Sequence, residues 1–184
     1  QAAGDAPARI KAMKMLARVS EDKIERARVH KELSHVAVEE MGDDSLALRS
    51  LEEALALDPL DIEAIERVAA IHGSKGDRAA VSRHLGAAIE RHMEELARDA
   101  FQVRLYRQLG RIFQWQREYD RFYCACVVRQ YLEGLGKGVM EDAERRFLQA
   151  HHYRCAPIPT GPLAQNRYEK LILGEVASEP LRKV

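Results

Sequence analysis

The chain has 184 residues and carries 29 Lys and Arg against 29 Asp and Glu, so its formal net charge is zero. This balance argues against a nucleic-acid-binding protein, which usually has a basic excess, and against a polybasic protein of membrane surfaces. Helix-forming residues dominate, Gly (11) and Pro (6) are sparse, and no apolar stretch approaches the roughly 18 residues of a membrane span. We therefore expect an all-α protein, with no nucleic acid and no membrane among its partners.

The three cysteines, Cys124, Cys126 and Cys155, are an odd number, whereas disulfide scaffolds usually carry an even set in a shorter chain. No signal peptide is visible. We therefore expect a reducing, cytoplasmic location. Because the sequence begins at Gln1 and ends within a charged segment, we also expect it to be a piece of a longer protein.

From the N-terminus, Gly4-Asp5 is followed by apolar residues at helical spacing, which predicts one helix. Two similar segments, 31–59 and 65–90, come next. Each has an amphipathic helix, a Gly-Asp turn and a second amphipathic helix. The turns at Gly42 and Gly76 are 34 residues apart (76 − 42 = 34). The second helices align at the same offset: Ala47 with Val81, Leu51 with Leu85, and Ala54 with Ala88.

A third copy contains Leu109-Gly110 at the positions of Val68-Ala69. The offset is 41 residues (109 − 68 = 41), seven more than 34, and seven residues are about two helical turns. We expect these extra turns in the helix 81–98. Arg117 replaces the turn Gly of this copy, and Arg129 aligns with Ala88. The spacing places five residues on one face of the second helix of this copy: Tyr119, Phe122, Tyr123, Cys126 and Val127.

This pattern resembles the tetratricopeptide repeat, a helix–turn–helix unit of 34 residues. The resemblance rests on small residues in the helix stripes, the Gly-Asp turns and the closing Asp58-Pro59, and it covers about residues 4–131 as three units and a remnant. Gly allows the left-handed conformation that ends a helix, and Asp caps the next helix. We therefore predict a helical-hairpin repeat solenoid over 1–131.

The repeat pattern is lost in the C-terminal part, 132–184, which is predicted to be a helical cap with a Pro-rich loop. Three glycines at 134, 136 and 138 predict a turn, and 139–151 a helix. The prolines of 155–162 exclude a helix there, because they lack backbone donors.

In the tetratricopeptide-repeat family, the first helix of each unit lines a concave binding surface. Helical spacing places a polar stripe on each first helix, apart from the apolar stripe. The stripe of the middle unit is acidic at Glu63 and Glu66 and continues to Ala70. The predicted partner-binding residues form the two outer stripes: Arg28, Lys31 and His35 in the first unit, and Arg104, Arg107, Arg111, Gln114 and Trp115 in the third.

Arg binds carboxylates bidentately and Trp offers a large rigid contact, so these stripes favour an acidic protein or peptide partner. Two alternatives stay open. The basic stripe of the third unit could pair with Glu63 and Glu66 of the preceding unit and be structural. The stripes could also be ordinary solvated helix faces.

No motif for chemistry is found. His151, His152 and Cys155 are close in sequence but lack a zinc-binding spacing and a nucleophile–base arrangement, and the glycines match no phosphate-binding loop. We therefore expect no catalytic residue, no cofactor and no metal. The predicted function is a non-catalytic scaffold for protein–protein interaction. The alternatives are a regulatory or spacer segment of a larger enzyme or signalling protein, and an oligomerisation module.

Overall fold

A computed structural model describes residues 6–150, and this part of the chain contains eight helices and no strand. The all-α prediction is confirmed. All but the last two of these residues belong to one compact unit, Gln1–Leu148. The helices are α1 (Ala6–Val19), α2 (Lys23–Glu39), α3 (Asp44–Leu57), α4 (Ile62–Ser74), α5 (Arg78–Arg98), α6 (Val103–Gln116), α7 (Tyr119–Gly134) and α8 (Asp142–Ala150).

Four consecutive helices begin at an Asp whose side chain accepts hydrogen bonds from backbone N–H groups of the first turn. These residues are Asp22, Asp43, Asp61 and Asp77. The bonds satisfy N–H groups that have no partner inside the helix, and each such cap stabilises its helix by about 1 kcal/mol. The Gly-Asp pairs at 42–43 and 76–77 therefore mark helix starts as expected, and Gly4-Asp5 lies outside the described residues.

The turns inside the three hairpins share a left-handed residue. Gly42 and Gly76 have φ angles of 62° and 72°, and Arg117 takes the same conformation with φ 59° at the end of α6. A Cβ atom on either glycine would meet no atom within 4 Å. Glycine is therefore favoured in these turns because it adopts the left-handed backbone conformation easily. The turns do not need the space that a missing side chain leaves. Arg117 adopts the left-handed conformation at a cost of about 1–2 kcal/mol.

The extra seven residues of the long repeat spacing lie in α5. This helix has 21 residues, whereas the corresponding helix of the preceding hairpin, α3, has 14 (21 − 14 = 7). The added turns end at Arg98, as the sequence predicts. They include the fully buried His92, whose Nδ1 donates to the carbonyl oxygen of Ala88 at 2.7 Å.

Each of the first seven helices packs against its neighbours in sequence, and the apolar side chains form two clusters. The first cluster spans α1 to α5 and takes one residue from α6, Ile112. The second joins α5, α6 and α7. Ile89 packs against both clusters and Ile112 is fully buried, so these two side chains connect the two parts of the core.

The prediction for α7 is wrong in part. Phe122 and Cys126 are buried as expected, but Tyr119 and Val127 are 56% and 41% exposed. The buried face is turned toward Ala125, Arg129 and Leu132 instead. Arg129 lies on this buried face because its charge is paired there with Glu144 of α8. A charged residue gives no apolar signal, so the sequence pattern missed it.

Helix α8 begins at Asp142, three residues after the predicted start at Val139. The backbone from 135 to 141 is instead held in a loop, with Gly136 and Gly138 at φ 71° and 110°. The N–H of Met140 donates to Glu133 at 3.1 Å, and the carbonyl of Val139 accepts from Arg129 at 3.1 Å. These side-chain contacts replace the hydrogen bonds of a first helical turn.

Gly110 lies where α6 crosses α7. A Cβ atom added there would lie 3.4 Å from two ring carbons of Phe122. We expect Gly110→Leu to lower the free energy of unfolding by about 1–3 kcal/mol, because the rest of the side chain would overpack this contact. The measurement is urea denaturation of the full chain. Gly110→Ala is the control and should be far milder, since its Cβ fits against the ring; equal losses for the two variants would contradict the packing explanation.

Candidate interaction surface

The acidic helix α4 lies between the basic stripes of α2 and α6. On the side of α2, Lys31 Nζ lies 2.9 Å from Asp61 Oδ2 and 2.8 Å from Glu63 Oε2. Arg67 binds the other oxygen of Glu63 at 2.7 Å and also donates to the carbonyl of Lys31 at 3.1 Å. The Lys31 side chain is thus held by two carboxylates at the start of α4, and the Lys31 carbonyl oxygen accepts a hydrogen bond from Arg67.

These contacts stabilise both charges. The hydrogen bond from Lys31 lowers the pKa of Glu63. Burial alone would lower the pKa of Lys31, but the hydrogen bonds to Glu63 and Asp61 outweigh it, and the pKa is raised. Both side chains therefore remain charged around neutral pH, and the link between α2 and α4 is an ion pair.

On the other side of α4, Arg111 of α6 binds Glu66. Its Nε lies 2.8 Å from Oε1, and its Nη2 binds the second carboxylate oxygen, so the contact is bidentate. Arg107, one turn earlier, pairs with Glu141 in the loop before α8. Arg111 thus makes the contact with Glu66 that is expected if the basic stripe of the third unit has a structural role. Arg107 and Arg111, like Lys31, are therefore engaged in salt bridges within the chain.

The remaining predicted binding residues differ in whether they form salt bridges or hydrogen bonds within the chain. Arg28 pairs with Glu25 of its own helix at 2.7 Å. The side chains of His35, Arg104, Gln114 and Trp115 form no salt bridge or hydrogen bond within residues 6–150. All of these residues are exposed, and Trp115, the single Trp of the chain, is 46% exposed.

Two cavities lie beside these residues. One, of ≈ 400 Å³, is formed by α6, α7 and α8 and is lined by Arg107, Arg111, Gln114 and Phe122 together with Glu141, Ala143, Glu144 and Phe147. The other, of ≈ 220 Å³, is formed by α2, α3 and α4 and includes His35, Arg67 and Ala70. The structure therefore places predicted residues at two separate concavities, one at each end of the charged surface.

Sequence reasoning missed two acidic partners of this surface, Asp61 and Glu141. Asp61 is recognisable as an N-cap by its position before an apolar helix. Glu141 follows a glycine-rich turn and belongs to no periodic pattern, so no signal in the sequence links it to Arg107.

The structure describes two of the three cysteines, both on α7. Cys126 is buried, and burial raises the pKa of its thiol to about 11, while Cys124 is exposed. The candidates His151, His152 and Cys155 lie outside the described residues. Within residues 6–150, no three His, Cys, Asp or Glu side chains are placed to hold a metal ion.

None of the helices described between residues 6 and 150 combines the length and the apolar character needed to cross a membrane. Comparison of the sequence with protein-family models gives no match, and comparison with curated proteins gives no significant match.

Three partly or fully buried histidines predict how stability depends on pH. Burial lowers the pKa of His30, His84 and His92. All are neutral in both states well above pH 6.5. As the pH falls through about 6.5, the unfolded chain takes up protons before the folded chain does, so the free energy of unfolding falls as these histidines titrate.

The measurement is urea denaturation at pH 7.5, 6.5 and 5.5. We expect His84→Gln to reduce the loss of stability between pH 6.5 and 5.5, whereas the exposed control His35→Gln should leave it unchanged. Equal stability of the wild type at pH 7.5 and 5.5 would contradict the burial of these rings.

Proposed function

We propose that this chain is a non-catalytic scaffold of the tetratricopeptide-repeat type, which binds a protein or peptide partner through the surface formed by α2, α4 and α6. On this proposal α2–α3, α4–α5 and α6–α7 are three repeat units, α1 is the second helix of a preceding unit, and α8 begins the C-terminal cap.

Three observations support the repeat arrangement. The left-handed turn residue recurs in all three hairpins, at Gly42, Gly76 and Arg117. The helices pack in the order of the sequence, so each hairpin buries its apolar face against its neighbours. The small residues Ala69 and Gly110 are buried at equivalent positions of α4 and α6.

The observation that carries the binding proposal is the exposure of Arg104, Gln114 and Trp115 on α6, with Gln114 also lining the cavity of ≈ 400 Å³. A large exposed aromatic side chain on the same helix as an exposed arginine is typical of the residues that dominate binding energy at interfaces. No contact within residues 6–150 accounts for the polar ends of these side chains.

The charges indicate which partner fits. Arg111 is already neutralised by Glu66, but Arg107 and Glu141 are half exposed in their salt bridge, with side chains 56% and 50% exposed. Such exposed pairs are weak, at most about 1 kcal/mol, so a carboxylate of a partner can replace Glu141 at little cost. Arg104 offers a second cationic group one turn away. An acidic peptide segment is therefore the proposed ligand.

The test uses Trp115 as its own reporter, because it is the only Trp. Peptides selected from a displayed random library against the full chain should be enriched in Asp and Glu. Their binding should shift Trp115 fluorescence, with an affinity that weakens at high salt. We expect Arg104→Ala with Gln114→Ala to weaken binding by about tenfold or more.

The control for this variant is Arg83→Ala with Arg91→Ala, which removes two exposed arginines of α5. It should leave affinity unchanged, and both variants should stay within about 0.5 kcal/mol of the wild type in stability. Selected peptides that bind without changing Trp115 fluorescence, or that bind the Arg104 variant equally well, would place the binding surface elsewhere and contradict the proposal.

A second candidate is self-association, and a specific groove favours it. A concavity of ≈ 430 Å³ between α5, α6 and α7 is lined almost wholly by apolar side chains, among them Ile89, Met93, Tyr106 and Val128. Met93 is 53% exposed. Sedimentation over a concentration series would reveal a dimer that Met93→Glu abolishes. A monomer at all concentrations would exclude this candidate and leave the first untouched.

A further inference from the structure

A cleft of ≈ 830 Å³ lies between α1, α2 and α3, and it shares no lining residue with the candidate interaction surface. Its lining combines polar and apolar side chains and comes from all three helices: Lys14, Ala17 and Arg18 of α1; Arg26, His30 and Leu33 of α2; Leu46, Arg49, Ser50, Glu52 and Glu53 of α3. Its volume is within the range of about 300–1,000 Å³ that is typical of small-molecule sites.

Cations predominate in this cleft. The four cationic side chains are Lys14, Arg18, Arg26 and Arg49, and the only carboxylates in the lining are Glu52 and Glu53, which leaves a balance of two positive charges (4 − 2 = 2). None of the four cations forms a salt bridge with an acidic side chain of residues 6–150. Cations from three helices thus lie in one place, and the two carboxylates of the lining offset only part of their charge.

Two residues of the cleft lining each carry a buried polar atom that has no hydrogen-bond partner among residues 6–150, namely Arg26 Nε and His30 Nδ1. The two residues are four apart on α2, so their side chains share one helix face. The N–H of an arginine Nε is an obligate donor, and a histidine Nδ1 can donate. Buried donors without partners are unfavourable, whereas an oxygen-rich anion would satisfy both.

We propose that this cleft binds a phosphate monoester, with Arg26 and His30 donating to the phosphate oxygens and Lys14, Arg18 and Arg49 supplying the surrounding positive charge. A phosphate monoester carries about −1.5 to −2 charges at pH 7 and three acceptor oxygens, which matches both the charge balance and the two unpartnered donors. The cleft is larger than a phosphate group alone, so it also has room for the group that the phosphate esterifies. Glu52 and Glu53 exclude a ligand that is densely anionic over its whole length.

Isothermal titration calorimetry of the full chain tests this proposal with two probes. O-phospho-L-serine represents a small phosphorylated metabolite, and a short peptide with a single phosphoserine represents a phosphorylated protein; serine and the unphosphorylated peptide are the respective blanks. We expect saturable binding of at least one phosphorylated probe and none of its blank. Tighter binding of free phosphoserine would indicate a metabolite as the source, and tighter binding of the peptide a phosphoprotein.

The variant Arg26→Gln with Arg49→Gln is expected to weaken phosphate binding by about tenfold or more, since each removes a charged donor. Arg83→Gln with Arg91→Gln on α5 removes the same charge outside the cleft and should leave affinity unchanged. Arg26→Lys keeps the charge but removes the Nε donor, and it should weaken binding even though it folds. Absence of binding to both phosphorylated probes, or equal losses in the cleft variant and the α5 variant, would overturn the proposal. Because no residue of α6 is altered, these results do not depend on the peptide-binding proposal.

Discussion

Replacing Arg129 with Ala is expected to lower the free energy of unfolding by about 3–5 kcal/mol, which would make it one of the most damaging single changes in the chain. Arg129 is 3% exposed, forms a salt bridge with Glu144 of α8 and donates to the carbonyl of Val139 at 3.1 Å. Its removal leaves the Glu144 carboxylate buried without a counter-charge. The measurement is urea denaturation at pH 7.

Two controls separate this effect from the loss of a side chain in general. Arg129→Met with Glu144→Leu removes both charges and should recover much of the stability, because a matched apolar pair has no desolvation cost. Arg98→Ala breaks the exposed salt bridge with Glu95 inside α5 and should cost at most about 1 kcal/mol. A loss below about 1 kcal/mol in Arg129→Ala would show that α8 does not dock on α7 in solution.

Replacing Ile112 with Ala is expected to cost about 2–5 kcal/mol. Ile112 is fully buried, and it is the one residue of α6 that belongs to the cluster of α1 to α5. Its removal opens a cavity between the two parts of the core, so the two parts should lose cooperativity as well as stability. We expect the denaturation curves followed by Trp115 fluorescence and by circular dichroism to separate in the variant, whereas they coincide in the wild type.

The control is Val127→Ala on the exposed face of α7. It removes a branched apolar side chain that is 41% exposed, and it should stay within about 0.5 kcal/mol of the wild type. A cost for Ile112→Ala no larger than that for Val127→Ala would contradict the position of Ile112 in the core.

The hairpin order was predictable because it depends on local signals. Gly-Asp turns at 42–43 and 76–77 combine a left-handed residue with an N-cap, and both occur where the sequence indicates. The extension of α5 was predictable from the longer spacing between the second and third copies, since seven additional residues are about two helical turns. The left-handed turn at Arg117 needed the alignment with the glycines, because the residue itself does not favour that conformation.

The contacts of charged residues were not predictable to the same degree. Arg129 was recognised as a departure from the small residue at Ala88, but its partner Glu144 lies beyond a loop whose path depends on tertiary packing. The same limit applies to Arg107 and Glu141. The cleft of Arg26 and His30 was missed entirely, because its members come from three helices whose relative placement no periodic pattern encodes.

The alternation of charge along α2, α4 and α6 restricts which helical hairpins can be removed or duplicated. Glu63 faces Lys31 of α2 and Glu66 faces Arg111 of α6, so the middle hairpin supplies negative charge to both neighbours. Excision of α4 and α5 would remove the carboxylates that now pair with Lys31 of α2 and Arg111 of α6. Duplication of that hairpin would set two acidic helices side by side. The order of the hairpins is therefore constrained by charge, and a shortened or lengthened version of this chain would require compensating substitutions at these positions.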